Sequence, residues 1–87
     1  MQRMELSTLR DRVAEIAENA AIGDGVADIV LEADKDADGD DFLRVILKIR
    51  GLDRASYEDL ASLVTSIETV VGDLDERFPS VRFAEAA

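Results

Sequence analysis

The stretch Asp34-Lys35-Asp36-Ala37-Asp38-Gly39-Asp40-Asp41-Phe42 sets carboxylates at alternate positions ahead of a glycine. Oxygen donors at loop positions one, three and five, with glycine at six, open a calcium-binding EF-hand loop. Asp34, Asp36, Asp38 and Asp40 are therefore the candidate metal ligands, and Ca2+ is the candidate ion. The remainder of such a loop does not follow. The bidentate glutamate due at position twelve is Val45, and the next segment alternates like a strand instead of exiting as a helix. Turn chemistry accounts for the same letters. Aspartates bond to nearby backbone amides, and glycine supplies the left-handed last residue of a three-residue hairpin loop. A solvated hairpin tip at Ala37, Asp38 and Gly39 is the reading the pattern favours. It brings Asp36 opposite Asp40, where like charges oppose each other unless the loop opens or a cation screens them.

Other reactive chemistry is sparse. The chain has no cysteine and no histidine. Thiolate nucleophiles, disulfides and zinc-thiolate sites are excluded, as is the commonest general base. Ser62, Thr65, Ser66 and Thr69 fall on a helical pattern with no histidine to activate them, and Ser56 is better used as a helix cap. Glu58 and Asp59 are first-turn acids, which the helix dipole explains. These absences predict a protein that is not an enzyme.

The formal net charge is −10, which repels a phosphate backbone and argues against nucleic-acid binding. No apolar run approaches the ~20 residues of a membrane span. The first residues, MQRMELSTLR, lack the apolar core of a signal peptide, so the expected location is cytoplasmic. With 47% hydrophobic residues in 87, the composition is globular, and the length fits one domain, 1–87.

Five elements position these groups. Leu6, Leu9, Val13, Ile16, Ala17 and Ala20 recur at helical spacing and predict a helix over about 6–21. Alternating residues predict strands over about 26–33 and 42–50. Leu43, Val45, Leu47 and Ile49 form an unbroken apolar face. Setting Glu32 opposite Arg44 also places Asp28 by Lys48, Val30 by Ile46, Leu31 by Val45 and Ile29 by Leu47. Opposite charges and apolar pairs agree in that register, so the two strands form a hairpin. Leu60, Leu63, Val64, Ile67, Val71 and Leu74 mark a helix over about 57–77, capped by Ser56 and stopped by Pro79. A last strand covers about 81–84, with Val81 and Phe83 inward. The pattern accepts this strand beside either hairpin strand. The fold class is α+β: a two-layer α-β-β-α-β sandwich with both helices on one face of a three-stranded sheet.

That arrangement leaves the other sheet face uncovered. Val30, Phe42 and Ile46 form an apolar strip on it, edged by charged groups that include Arg44 and Lys48. An apolar centre with a charged rim is the make-up of a protein contact, and mixed charges can pair with themselves about a two-fold axis. Val30, Phe42, Arg44, Ile46 and Lys48 are the candidate interface. The predicted function is a small acidic non-enzymatic interaction module that forms a homo-oligomer or binds a larger protein. The alternative is a divalent-cation-binding regulatory domain that uses the acidic loop.

The element order, with Arg44-Val45-Ile46-Leu47-Lys48-Ile49, a long amphipathic helix and then Arg77-Phe78-Pro79 leading into a strand, resembles the cytoplasmic domain of cation diffusion facilitator transporters. The resemblance covers most of the chain. It implies an α-β-β-α-β fold and dimerisation. The family's cytoplasmic metal sites rely heavily on histidine, which is absent here, so no ligand position carries over.

Overall fold

The computed structural model describes residues 2–86. The chain runs α1 (Leu6–Glu18), a 3-10 turn (Gly23–Gly25), β1 (Val26–Lys35), β2 (Asp41–Ile49), a second 3-10 turn (Leu52–Arg54), α2 (Tyr57–Leu74) and β3 (Phe78–Glu85). The sheet order is β1-β2-β3, with β1 antiparallel and β3 parallel to the central β2. The last strand thus joins the second hairpin strand.

The predicted hairpin register holds throughout. Glu32 pairs with Arg44, Leu31 with Val45, Val30 with Ile46, Ile29 with Leu47 and Asp28 with Lys48. Leu43, Val45, Leu47 and Ile49 are fully buried beneath both helices. They meet Leu9, Val13 and Ala17 of α1 and Leu63, Ile67 and Val71 of α2, so both helices lie on one face. Fully burying each such side chain contributes about 1.5–3 kcal/mol.

The elements differ from the sequence expectation chiefly in four places, each for a local reason. The first helix stops at Glu18, not 21, because Gly23 packs against its last turn. A Cβ on Gly23 would lie 2.6 Å from the Ala17 carbonyl oxygen, so the chain must turn there. A bulge between Val26 and Asp28 turns Val26 toward the core and leaves Ala27 exposed, although strict alternation with Ile29 and Leu31 would put Ala27 inward. The second helix stops at Leu74, not 77, because Asp75 is extended and its carboxylate takes the Arg77 amide at 2.9 Å. β3 consequently begins at Phe78, and Pro79 is tolerated inside it because β3 is an edge strand.

Gly72 lies on the exposed side of α2, and a Cβ there would meet nothing within 4 Å. Glycine in a helix is about 1 kcal/mol less favourable than alanine. Gly72→Ala is therefore expected to raise the melting temperature by roughly 4–8 °C, read by thermal denaturation followed at the helical circular-dichroism band.

Candidate interaction surface and the acidic tip

The hairpin tip folds as a turn closed by its own carboxylate. The Asp36 amide donates to the Asp40 carbonyl at 2.9 Å, and the Gly39 amide donates to the Asp36 carbonyl at 3.0 Å. Gly39 sits at φ +85°, the left-handed region that glycine enters at least cost. The Asp36 carboxylate bends over the turn and accepts from the amides of both Asp38 and Asp40, each at 2.9 Å. This resolves the opposition of Asp36 and Asp40: one of the two charges is absorbed by backbone donors. Asp34 is held elsewhere. It accepts from its neighbour's amide, Lys35, and from Arg44 at 2.8 Å, and these bonds lower its pKa. The four candidate ligands are therefore not gathered: Asp34 faces Arg44, Asp36 faces the turn, and Asp38 and Asp40 form no ion pair among the described residues. Among those residues, no group of three acidic side chains converges on a common metal position.

The candidate interface residues do come together. Strand alternation and register put Val30, Phe42, Arg44, Ile46 and Lys48 on the sheet face opposite the helices. Val30, Phe42 and Ile46 are half-buried and Lys48 is exposed. The Arg44 guanidinium lies 5.3 Å from the centre of the Phe42 ring, a cation–π distance, while bonding Asp34. The two charge pairs expected across the hairpin are not made. Arg44 reaches diagonally to Asp34 instead of straight across to Glu32, and Asp28 bonds Arg10 of α1 at 3.2 Å instead of Lys48. Arg10 also donates to the Ile29 carbonyl at 2.9 Å, which covers part of the β1 edge.

One member of the surface was not read from sequence. Phe78 pairs in register with Phe42 and is 64% exposed, one of two large hydrophobic side chains so open among the described residues. Phe42, Phe78, Ser80 and Arg82 line a shallow depression of about 430 Å³ that reaches the acidic tip at Asp36 and Asp40. Extending α2 to residue 77 had left Phe78 in a linker. The alternation Phe78, Ser80, Arg82 against Pro79, Val81, Phe83 was the signal available.

A second cluster, also unread, fastens the start of the chain to the end of α2. Asp75 and Arg77 form a buried ion pair at 2.9 Å. The Asp75 carboxylate accepts from Arg77 Nε and Nη2, from the Arg77 amide and from the Met4 amide. Arg77 Nη2 also donates to the Met4 carbonyl at 3.0 Å, and the Glu76 amide donates to the Gln2 carbonyl at 2.8 Å. Arg3 bridges Asp41 and Glu76 at 2.8 and 3.0 Å. The bonds from Arg77 hold the Asp75 carboxyl well below the usual carboxylate range, and those from Lys35 and then Arg3 bring Asp41 down to about 2.

With this geometry established, comparison with known proteins gives one clear likeness. No protein-family model matches the sequence, and no curated protein matches it. Among solved structures, the chain is similar to several variants of MamM-CTD. A doubly substituted variant aligns over 93% of this chain and 94% of that one, with a TM-score of 0.55 at 17% identity. A singly substituted variant aligns over 95% and 100%, with a TM-score of 0.55 at 16% identity. A triply substituted variant aligns over 93% and 95%, with a TM-score of 0.54 at 20% identity. The chain thus shares the fold of the MamM C-terminal domain, the cytoplasmic domain of a cation diffusion facilitator transporter.

Proposed function

We propose that this protein is a cytoplasmic, non-enzymatic interaction module whose working surface is the open face of its sheet, and that it associates with a second copy of itself. One observation carries the reading. The sheet face away from the helices holds two apolar pairs, Phe42 with the exposed Phe78 and Val30 with Ile46, on either side of the row Glu32, Arg44 and Ser80, with the Arg44 guanidinium lying against Phe42 and with Lys48 and Arg82 at the border. Isolated surface apolar groups are ordinary, whereas aromatic and aliphatic pairs gathered on one open face among charged groups have the anatomy of an interface. The shared fold supports the same conclusion, because the transporter-domain resemblance implies dimerisation. Among the described residues, no helix is long and apolar enough to cross a membrane.

Phe42→Asp sets a charge on this face, beside Phe78, without touching the buried face of β2. The variant is expected to sediment as a monomer at tens of micromolar, where the unaltered protein sediments as a dimer, with the same circular-dichroism spectrum. An unaltered protein that stays monomeric at that concentration overturns the reading.

A further inference from the structure

We infer that the two copies pack face to face about a two-fold axis running along β2, parallel to the strands, so that Glu32 of each copy pairs with the partner's Arg82. The inference rests on the sheet-face reading above and adds the geometry of the contact.

The charge on this face is divided between its edges. On β1, the outward acids are Asp28, Glu32 and Asp34; on β3, the outward charge is Arg82. Some of these are already neutralised within the chain, Asp34 by Arg44 and Asp28 by Arg10. Glu32 and Arg82 are both exposed, and neither forms an ion pair among the described residues. They stand on opposite edges of the sheet and one row apart, since Glu32 is level with Arg44 and Ser80, while Arg82 is level with Ile46 and Val30.

Two face-to-face arrangements have two-fold symmetry about an axis aligned with the sheet. An axis across the strands lays β1 over the partner's β1, so acids confront acids. An axis along β2 lays β1 over the partner's β3. Each Glu32 then faces the partner's Ser80 with the partner's Arg82 two residues further along β3, within reach of an arginine side chain. Phe42, Arg44 and Ile46 meet their own counterparts on the axis; Arg44 enters the contact already paired with Asp34 and lying against Phe42, so the two apolar pairs close around a neutralised charge. Lys48 also approaches its counterpart, but it lies at the end of the face. Packed sheets cross at about 30°, so the ends of the face separate while the centre stays in contact. Like charges across a contact oppose association and opposite charges set its register, which selects the second arrangement.

Charge reversal tests this by a double-mutant cycle read by sedimentation equilibrium at low salt. Glu32→Arg alone and Arg82→Glu alone are each expected to weaken association at least about tenfold, and the two together to restore it to within about threefold of the unaltered protein. Both positions are exposed, so thermal melts of all four proteins, taken at concentrations where each is monomeric, should differ by no more than about 1 kcal/mol in stability. If both single variants associate normally, or the double variant is no better than the singles, while Phe42→Asp still dissociates the dimer, this geometry is wrong and the sheet-face reading stands. If Phe42→Asp also leaves association unchanged, both fail.

Discussion

Asp75→Ala is expected to destabilise the fold by about 3–5 kcal/mol, the range for removing one partner of a buried ion pair. Total stabilities of small domains are about 5–15 kcal/mol, so this single change removes a large share. The reason is what it leaves behind. Arg77 is 9% exposed and would keep its charge in the interior with only the Met4 carbonyl for a partner, while the Met4 amide would lose its acceptor. The double variant Asp75→Ala, Arg77→Met is expected to recover much of the loss, because no uncompensated charge remains. Urea denaturation of the single and double variants checks this; equal losses in both would show that the pair is not coupled. Hydrogen exchange gives a local readout, since release of the chain start should deprotect the Met4 and Glu76 amides.

The same cluster gives the acid limb of stability a definite sign. Asp75 and Asp41 have folded pKa values below the ~3.9 of an unfolded aspartate. Their contribution is full above about pH 4 and is lost as the pH falls through the folded values, near 2 for Asp41 and lower still for Asp75. Asp75→Asn removes one of these titrations. Its melting temperature should start lower at pH 7 and fall less steeply than that of the unaltered protein between about pH 4 and 2.

The hairpin was legible in the sequence because two independent patterns, charge and apolar alternation, agreed on one register, and a slip by one residue would have turned a strand over. The tip was legible for a related reason. Val45, where a calcium loop needs its glutamate, belongs to the buried face of β2, and Gly39 occupies the turn position that requires a positive φ. Side-chain partners were not legible. Register fixes Cα neighbours, but Arg44 is long enough to choose between Glu32 and Asp34, and Arg10 arrives from a helix that is remote in sequence. The Asp75 and Arg77 pair was invisible for a different reason. Both residues look like ordinary polar helix-end positions, and their burial depends on the chain start folding back over them. Misplacing the helix end by three residues then hid Phe78, the most exposed aromatic of the proposed surface. The position of β3 beside β2 likewise depends on tertiary packing of α2, which a single strand's pattern does not encode.

Adjacent residues of β2 should separate stability from association. Leu47 is fully buried, flanked in register by Ile29 on β1 and Phe83 on β3. Leu47→Ala is expected to cost about 2–5 kcal/mol, because a cavity at the centre of a sheet held on both sides cannot collapse fully. Ile46, one residue away, points to the opposite face and is half-buried in the single chain. Ile46→Ala should change the stability of the monomer by less than about 1 kcal/mol, the usual range for surface positions. On the proposed surface it sits at the centre of the contact, where truncation of a buried anchor most weakens binding. Urea denaturation at low protein concentration and sedimentation at high concentration should therefore rank the two variants in opposite order. A stability loss at Ile46 as large as that at Leu47 would mean that the outer face is already part of the core, and that its apolar pairs serve folding instead of a partner.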